Sequence, residues 1–247
     1  MDRKRVAVVT GGSSGLGAAV CRQLCAGEHM QVISLDRQVT VPILQTFPGF
    51  VSKLCDVGDK ESVRQVADEI GEFVDVLVHC AGVNEINYLQ DLVSEDWDRV
   101  MGTNAKGIYF VMKYLLPALI RTKAVVCIVS SNASHVPMTA SLVYNASKAA
   151  AHIMTLQLAR ELTPRYGITV FGVAPNKMHG TAMSRYIEQR VLQVRGWSES
   201  YAVEYQKQAL LTGVETDPEM VAELIVFLTS SPARYQSLSG CVLPYGA

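Results

Sequence analysis

Tyr144 and Lys148 stand four residues apart, and Ser131 precedes the tyrosine by 13 residues. Side chains four apart on a helix share a face, so this spacing would set the Lys148 ammonium beside the Tyr144 phenol. A free tyrosine titrates near pH ~10 and is a poor base at neutral pH. Bringing it to ~7 takes about 4 kcal/mol. One cation at ~4 Å supplies roughly that much at an effective dielectric of ~20. The trio therefore has the makings of a proton-transfer group for neutral pH, with the Ser131 hydroxyl available to hold or polarise a substrate oxygen.

A second set of residues has the chemistry of a phosphate cradle. Thr10-Gly11-Gly12-Ser13-Ser14-Gly15-Leu16-Gly17 follows an apolar run and opens a helical one. Glycines allow a tight turn and let backbone amides approach a pyrophosphate, and a helix N-terminus favours its negative charge. Asp36 falls 19 residues after Gly17, at the tip of the next strand-like run. A carboxylate there can accept hydrogen bonds from both ribose hydroxyls of an adenosine and repels a 2′-phosphate, which favours NAD over NADP. Arg37 pulls the other way, because a guanidinium beside the ribose can host that phosphate. Asp56 and Val57 end the third strand-like run, where Asp56 could bond an adenine amino group or cap a turn.

These groups need a scaffold, and the pattern supplies one. Val6–Thr10, Gln31–Leu35, Phe50–Leu54, Val74–His79, Val125–Ser130, Ile168–Val173 and Leu238–Leu243 read as strands. Several are apolar at nearly every position, as expected of strands covered on both faces. Amphipathic stretches at Gly15–Ala26, Glu61–Glu72, Glu95–Leu119, Val143–Tyr166 and Pro218–Thr229 alternate with them. Residues 37–49, with Pro42 and Pro48, leave room only for a stunted helix. This alternation predicts an α/β fold: one domain over residues 1–247, a doubly wound, Rossmann-like parallel sheet with helices on both faces.

Composition narrows the class. The 247 residues are 49% hydrophobic and 18% charged, with a net charge of −1. That balance argues against a general nucleic-acid or membrane-surface binder. No apolar run approaches a membrane span. The run Val6 to Val9 is too short for a signal-peptide core, so the expectation is a cytoplasmic protein. The six cysteines form no CxxC pair and read as reduced, mostly buried thiols, and the five histidines show no zinc spacing, so no metal is expected.

With these pieces together, the chain resembles the short-chain dehydrogenase/reductase family along essentially its whole length. The family's nucleotide motif matches Thr10, Gly11, Gly15 and Gly17, and its active-site residues match Asn104, Ser131, Tyr144 and Lys148. The resemblance implies that Ser131 orients the substrate oxygen and that Tyr144 exchanges a proton with it. Lys148 would lower the tyrosine pKa and hold the nicotinamide ribose. Asn104 would sit at a helix irregularity and anchor a water that relays protons. A hydride would pass between nicotinamide and substrate carbon. The resemblance also implies a homo-oligomer, dimer or tetramer, through the long helices Glu95–Leu119 and Val143–Tyr166. The family's Asn-Asn-Ala-Gly reads His79-Cys80-Ala81-Gly82, which keeps small Ala81 and Gly82 beside the cofactor. Its Pro-Gly reads Pro175-Asn176, where Asn tolerates positive φ, and Thr181 is the candidate for the nicotinamide amide contact.

Residues 176–212 form a long insertion that would close over the substrate. It carries Met178, Met183, Tyr186, Trp197, Tyr201 and Tyr205, together with arginines and glutamates. His135 and Met138, between Ser131 and Tyr144, should line the pocket with Met183 and Trp197. A medium-sized substrate with a ring or an acidic group would suit such a lid. Polyols and sugars, cyclic alcohols, dihydrodiols and 3-hydroxyacyl thioesters all fit. The reading is an NAD-dependent oxidoreductase acting on CH–OH groups. An idle NAD sensor, or a dehydratase or epimerase on the same fold, stays open.

Overall fold

The computed structural model describes residues 3–27, 30–38, 42–231 and 234–246. Seven strands form one parallel sheet in the order β3-β2-β1-β4-β5-β6-β7. They are β1 (Arg5–Thr10), β2 (Met30–Asp36), β3 (Phe50–Leu54), β4 (Val76–His79), β5 (Val125–Val129), β6 (Thr169–Pro175) and β7 (Val242–Tyr245). Strand residues alternate between two cores, as their period of two requires. Leu77 and Val126 face the helices α3 (Lys60–Ile70), α5 (Gly107–Thr122) and α6 (Leu142–Tyr166). Val76, Val78 and Cys127 face α1 (Gly15–Ala26) and α9 (Pro218–Ser230). The strand order reverses between β1 and β4, which opens a crevice beyond the strands' carboxyl ends. The expected doubly wound sheet is what the chain forms. Between β2 and β3 the described residues form only the short helix α2 (Pro42–Gln45).

Most boundaries shift by one or two residues, as at β4, which starts at Val76, and α3, which ends at Ile70, but two departures are larger. The stretch Glu95–Leu119 is not one helix. It runs as α4 (Ser94–Met101), a π-helical turn at Gly102–Lys106, and α5, which continues to Thr122. The last strand starts later than Leu238. Residues 236–238 are a 3-10 turn, Gly240 takes φ 84°, and pairing with β6 begins at Val242. Pro244 fits because β7 is an edge strand. The lid comprises α7 (Ala182–Arg195) and α8 (Glu199–Ala209).

Candidate active site

Most of the groups singled out above line one crevice beyond the carboxyl ends of the strands, from the glycine turn after β1 to Tyr144 and Lys148 on α6. Beyond β1, Gly11 takes φ +69°, and a Cβ there would stand 2.9 Å from the Ala81 backbone. A Cβ on Gly17 would overlap the Gly11 carbonyl. The turn is thus pressed against both its own helix and the end of β4, where Thr10 Oγ1 accepts from the Ala81 N–H at 3.1 Å. Helix α1 begins after Ser14 with no side-chain cap and no acidic residue in its first turn. By contrast, Asp59 and Asp217 cap α3 and α9. The open amides of α1 face a cavity of about 860 Å³ lined by Gly11, Ser14, Gly15, Leu16 and Gly17. Such a cradle, which side chains would fill, fits a pyrophosphate.

The adenosine end is equally ordered. Asp36 accepts from the Ser13 N–H at 3.0 Å and the Gln38 N–H at 3.2 Å. Arg37 and Asp56 stand 4.0 Å apart across the cavity rim, beside Val57. Ser13 itself does not line the cavity. Its amide is spent on Asp36 and its hydroxyl donates to the Gln38 carbonyl at 2.9 Å. Its part is to fix the carboxylate.

At the other end, Ser131, Tyr144, Lys148, Ala81, Gly82, Pro175 and Thr181 line the same cavity, as do His135, Met138, Met183 and Trp197. Tyr144 and Lys148 share one face of α6, with Nζ 5.9 Å from the tyrosine ring centroid. Nζ donates to the Val129 carbonyl at 3.0 Å. The electrostatics depart from expectation. Burial pushes the Tyr144 phenol up, against a smaller lowering by hydrogen bonding to Ser131. Burial also lowers Lys148 to about 8. Both groups are wrapped in protein, so desolvation disfavours both charged forms. In the protein alone the lysine therefore does not bring its neighbour toward neutrality.

Asn104 sits on the π turn, but its side chain does not line the cavity. It donates to the Val83 carbonyl at 2.8 Å and to Ser147 Oγ at 2.9 Å, and accepts from the Val83 N–H at 2.8 Å. It ties the strand exit after β4 to α6. Asn176 takes no positive φ; among the described residues only Lys123 and Ala140, besides glycines, do. Instead it prolongs the sheet through its N–H to the Tyr245 carbonyl at 2.9 Å, and its Oδ1 accepts from Asn132 at 2.9 Å. Thr181 forms a capping box with Ser184 at the start of α7, and its methyl would lie 3.6 Å from a Cβ on Gly15.

His79 is a core residue. It is 3% exposed, neither ring nitrogen has a partner among the described residues, and burial with the nearby Lys148 charge lowers it to about 3. The lid aromatics partly satisfy one another, with Trp197 4.7 Å from Tyr205 and 5.0 Å from Tyr201 between ring centroids. Spacing did not reveal the anchor of this lid. Buried Glu85 accepts from Arg99 and from the Tyr186 hydroxyl at 3.0 Å, with Arg190 at 3.5 Å. These three partners lie 14 to 105 residues away, where no local pattern links them, while Asn87 Nδ2 donates to the same carboxylate at 3.2 Å. Asn145, within Tyr144-Asn145-Ala146-Ser147-Lys148, was also missed. Its amide donates to the Ala133 and Val136 carbonyls at 2.6 and 2.7 Å and holds the Ser131 loop on α6. No described cluster of acids, histidines and cysteines could hold a metal. No described helix is long and apolar enough to cross a membrane.

Known proteins resemble this chain in sequence and in fold. The short chain dehydrogenase family model matches residues 5–191. Dehydrogenase/reductase SDR family member 4 of Pongo abelii is 32% identical over 94% of this chain and 83% of its own length. Human (3R)-3-hydroxyacyl-CoA dehydrogenase is 29% identical over 94% of this chain and 91% of its own. The crystal structure of a single-substitution variant of actinorhodin polyketide ketoreductase with NADPH superposes with a TM-score of 0.89. It is 25% identical, covering 100% of this chain and 98% of that one. The chain belongs to the short-chain dehydrogenase/reductase family.

Proposed function

We propose that the chain is an NAD(H)-dependent oxidoreductase that moves a hydride between the nicotinamide and the carbinol carbon of a secondary alcohol, or the carbonyl carbon of its ketone. The observation that carries this reading is that one cavity runs from the glycine turn to Ser131, Tyr144 and Lys148. Gly11, Gly15, Gly17 and the open amides of α1 would hold the pyrophosphate. Asp36 would take the adenosine ribose, Lys148 the nicotinamide ribose, and Ala81, Gly82, Pro175 and Thr181 the nicotinamide end. The bound dinucleotide supplies the hydride donor or acceptor. Tyr144 delivers its phenolic proton to the carbonyl oxygen during reduction, and in the oxidation direction its phenolate takes the hydroxyl proton of the alcohol. Ser131 steadies that oxygen and hydrogen-bonds the phenol. Asn104 acts at one remove, by fixing the Val83 backbone and Ser147.

Asp36 supports NAD. Its carboxylate is held at the end of β2 by two backbone amides and would repel a 2′-phosphate. The polyketide ketoreductase is described with NADPH, so the preference needs its own measurement. Rates with NAD and NADP over a panel of secondary alcohols and ketones test the proposal. The expected result is absorbance change with NAD(H) in excess of NADP(H), and an Asp36→Ala variant that loses about tenfold of that preference. No turnover with either dinucleotide across the panel contradicts it. Exposed Tyr109 on α5 and Ile153 on α6 support a homo-oligomer formed through these helices.

A further inference from the structure

The lid end of the cavity carries a cation without a carboxylate. Arg195 is the last residue of α7, followed by Gly196 at φ +66° and by Trp197. Its guanidinium lies 4.9 Å from the centre of the Trp197 ring, and Nη2 donates to the Thr139 carbonyl at 2.5 Å. Its Nε is buried and has no partner among the described residues. The titratable side chains that act on it are the phenols of Tyr205 and Tyr88, and no carboxylate lies within ion-pair distance among the described residues. The other cations on the cavity wall are committed. Lys177 bonds Glu188 and Glu215 at 2.8 Å each, Arg37 faces Asp56, and Lys148 belongs to the catalytic wall. Met138, Met183, Trp197 and Tyr205 supply an apolar and aromatic surface around the same space.

We infer that Arg195 is a specificity residue that receives a carboxylate of the substrate, so that the substrates are oxo acids and the matching hydroxy acids with an apolar or aromatic body. A planar fork already held by Thr139 and stacked on Trp197 has lost much of its side-chain freedom, so an incoming carboxylate meets a preorganised donor. Two alternatives compete. Arg195 could merely pin the lid to Thr139, or it could serve as an ordinary cation at a helix C-terminus. Neither makes use of a charge on the substrate. The inference rests on the oxidoreductase reading above. In reduction the carbonyl carbon gains the hydride, its oxygen gains the Tyr144 proton, the reduced dinucleotide becomes oxidised, and the carboxylate is unchanged.

The test uses 3-oxo-3-phenylpropanoate and its ethyl ester, which differ in the charge and in the ester group. Calorimetry measures binding of each to the dinucleotide-loaded protein, and absorbance measures turnover. The wild type should bind the acid at least about tenfold more tightly than the ester, the span of a charge-assisted hydrogen bond. Arg195→Met should bring that ratio near one, and Arg195→Lys should restore part of it. A circular-dichroism melt confirms that the variants fold. Equal binding of acid and ester by the wild type, or a ratio that Arg195→Met leaves untouched, overturns the inference. Reduction of both probes with equal constants removes the carboxylate site and keeps the oxidoreductase. Selective binding of the acid through Arg195, with neither probe reduced, keeps the anion site and counts against the oxidoreductase.

Discussion

Lys148 offers the sharpest physical test, because burial sets its charge within reach of experiment. Its pKa falls from 10.5 to about 8 as burial strips water from the ammonium. A group depressed in the folded state binds its proton less readily there than in the unfolded chain. The stability it contributes is therefore complete above pH 10.5 and is lost as pH falls toward 8. The full difference corresponds to about 3 kcal/mol, of which about 2 kcal/mol falls between pH 7.5 and 10. A methionine at 148 keeps much of the bulk but cannot titrate. Thermal melts of the wild type and Lys148→Met at pH 7.5 and 10 isolate the term, since groups common to both proteins cancel in the difference. The lost bond to Val129 adds an offset that does not vary with pH. The wild type should gain about 4–8 °C on the variant across that range, for a chain of this size. If the two proteins move in parallel, the ammonium is not desolvated and the account of the catalytic wall is wrong.

Two further outcomes follow from the same packing. His79 is held neutral at about 3 with both nitrogens unpartnered, so its contribution is present above pH 6.5 and is lost as pH falls through that window. His79→Leu should be more stable than the wild type by about 1–3 kcal/mol at pH 7, with an advantage that grows in denaturant titrations at pH 5; a destabilised variant would mean that the imidazole has a partner. Gly17→Ala should abolish dinucleotide binding in calorimetry, because its methyl would overlap the Gly11 carbonyl, whereas Gly27→Ala, whose added methyl would find nothing nearer than 3.6 Å, should bind normally.

Much of the scaffold was legible because it is written in local patterns. β-branched runs that alternate with amphipathic ones gave the parallel sheet, and the glycines after β1 marked its switch point. The four-residue step from Tyr144 to Lys148 correctly placed both on one face of α6. The failures share a cause, which is dependence on distant partners. The π turn at Gly102–Lys106 is the helix irregularity expected at Asn104, but the bonds of its side chain to Val83 and Ser147 are contacts that no helical period encodes. Asn176 found its bonds on β7 and on Asn132 and had no use for the left-handed conformation that its type allows. β7 was displaced because Leu238 is claimed by a turn with Tyr235 before the chain reaches the sheet. The phenol's pKa was misjudged because spacing reports a neighbour's charge but not the water removed from both groups. Glu85, which clasps the lid through Tyr186 and Arg190, announces itself only in three dimensions.

The central claim is that the Tyr144 phenol carries the substrate's proton over a dinucleotide bound at the glycine turn. Tyr144→Phe removes one oxygen from a residue only 8% exposed, so the fold and the dinucleotide cradle should persist. Turnover of a reactive secondary alcohol, followed by nicotinamide absorbance alongside dinucleotide binding by calorimetry, puts the claim to the test. The account predicts a loss of at least about a hundredfold in kcat with dinucleotide affinity kept within a few-fold. Turnover that survives the substitution would contradict it.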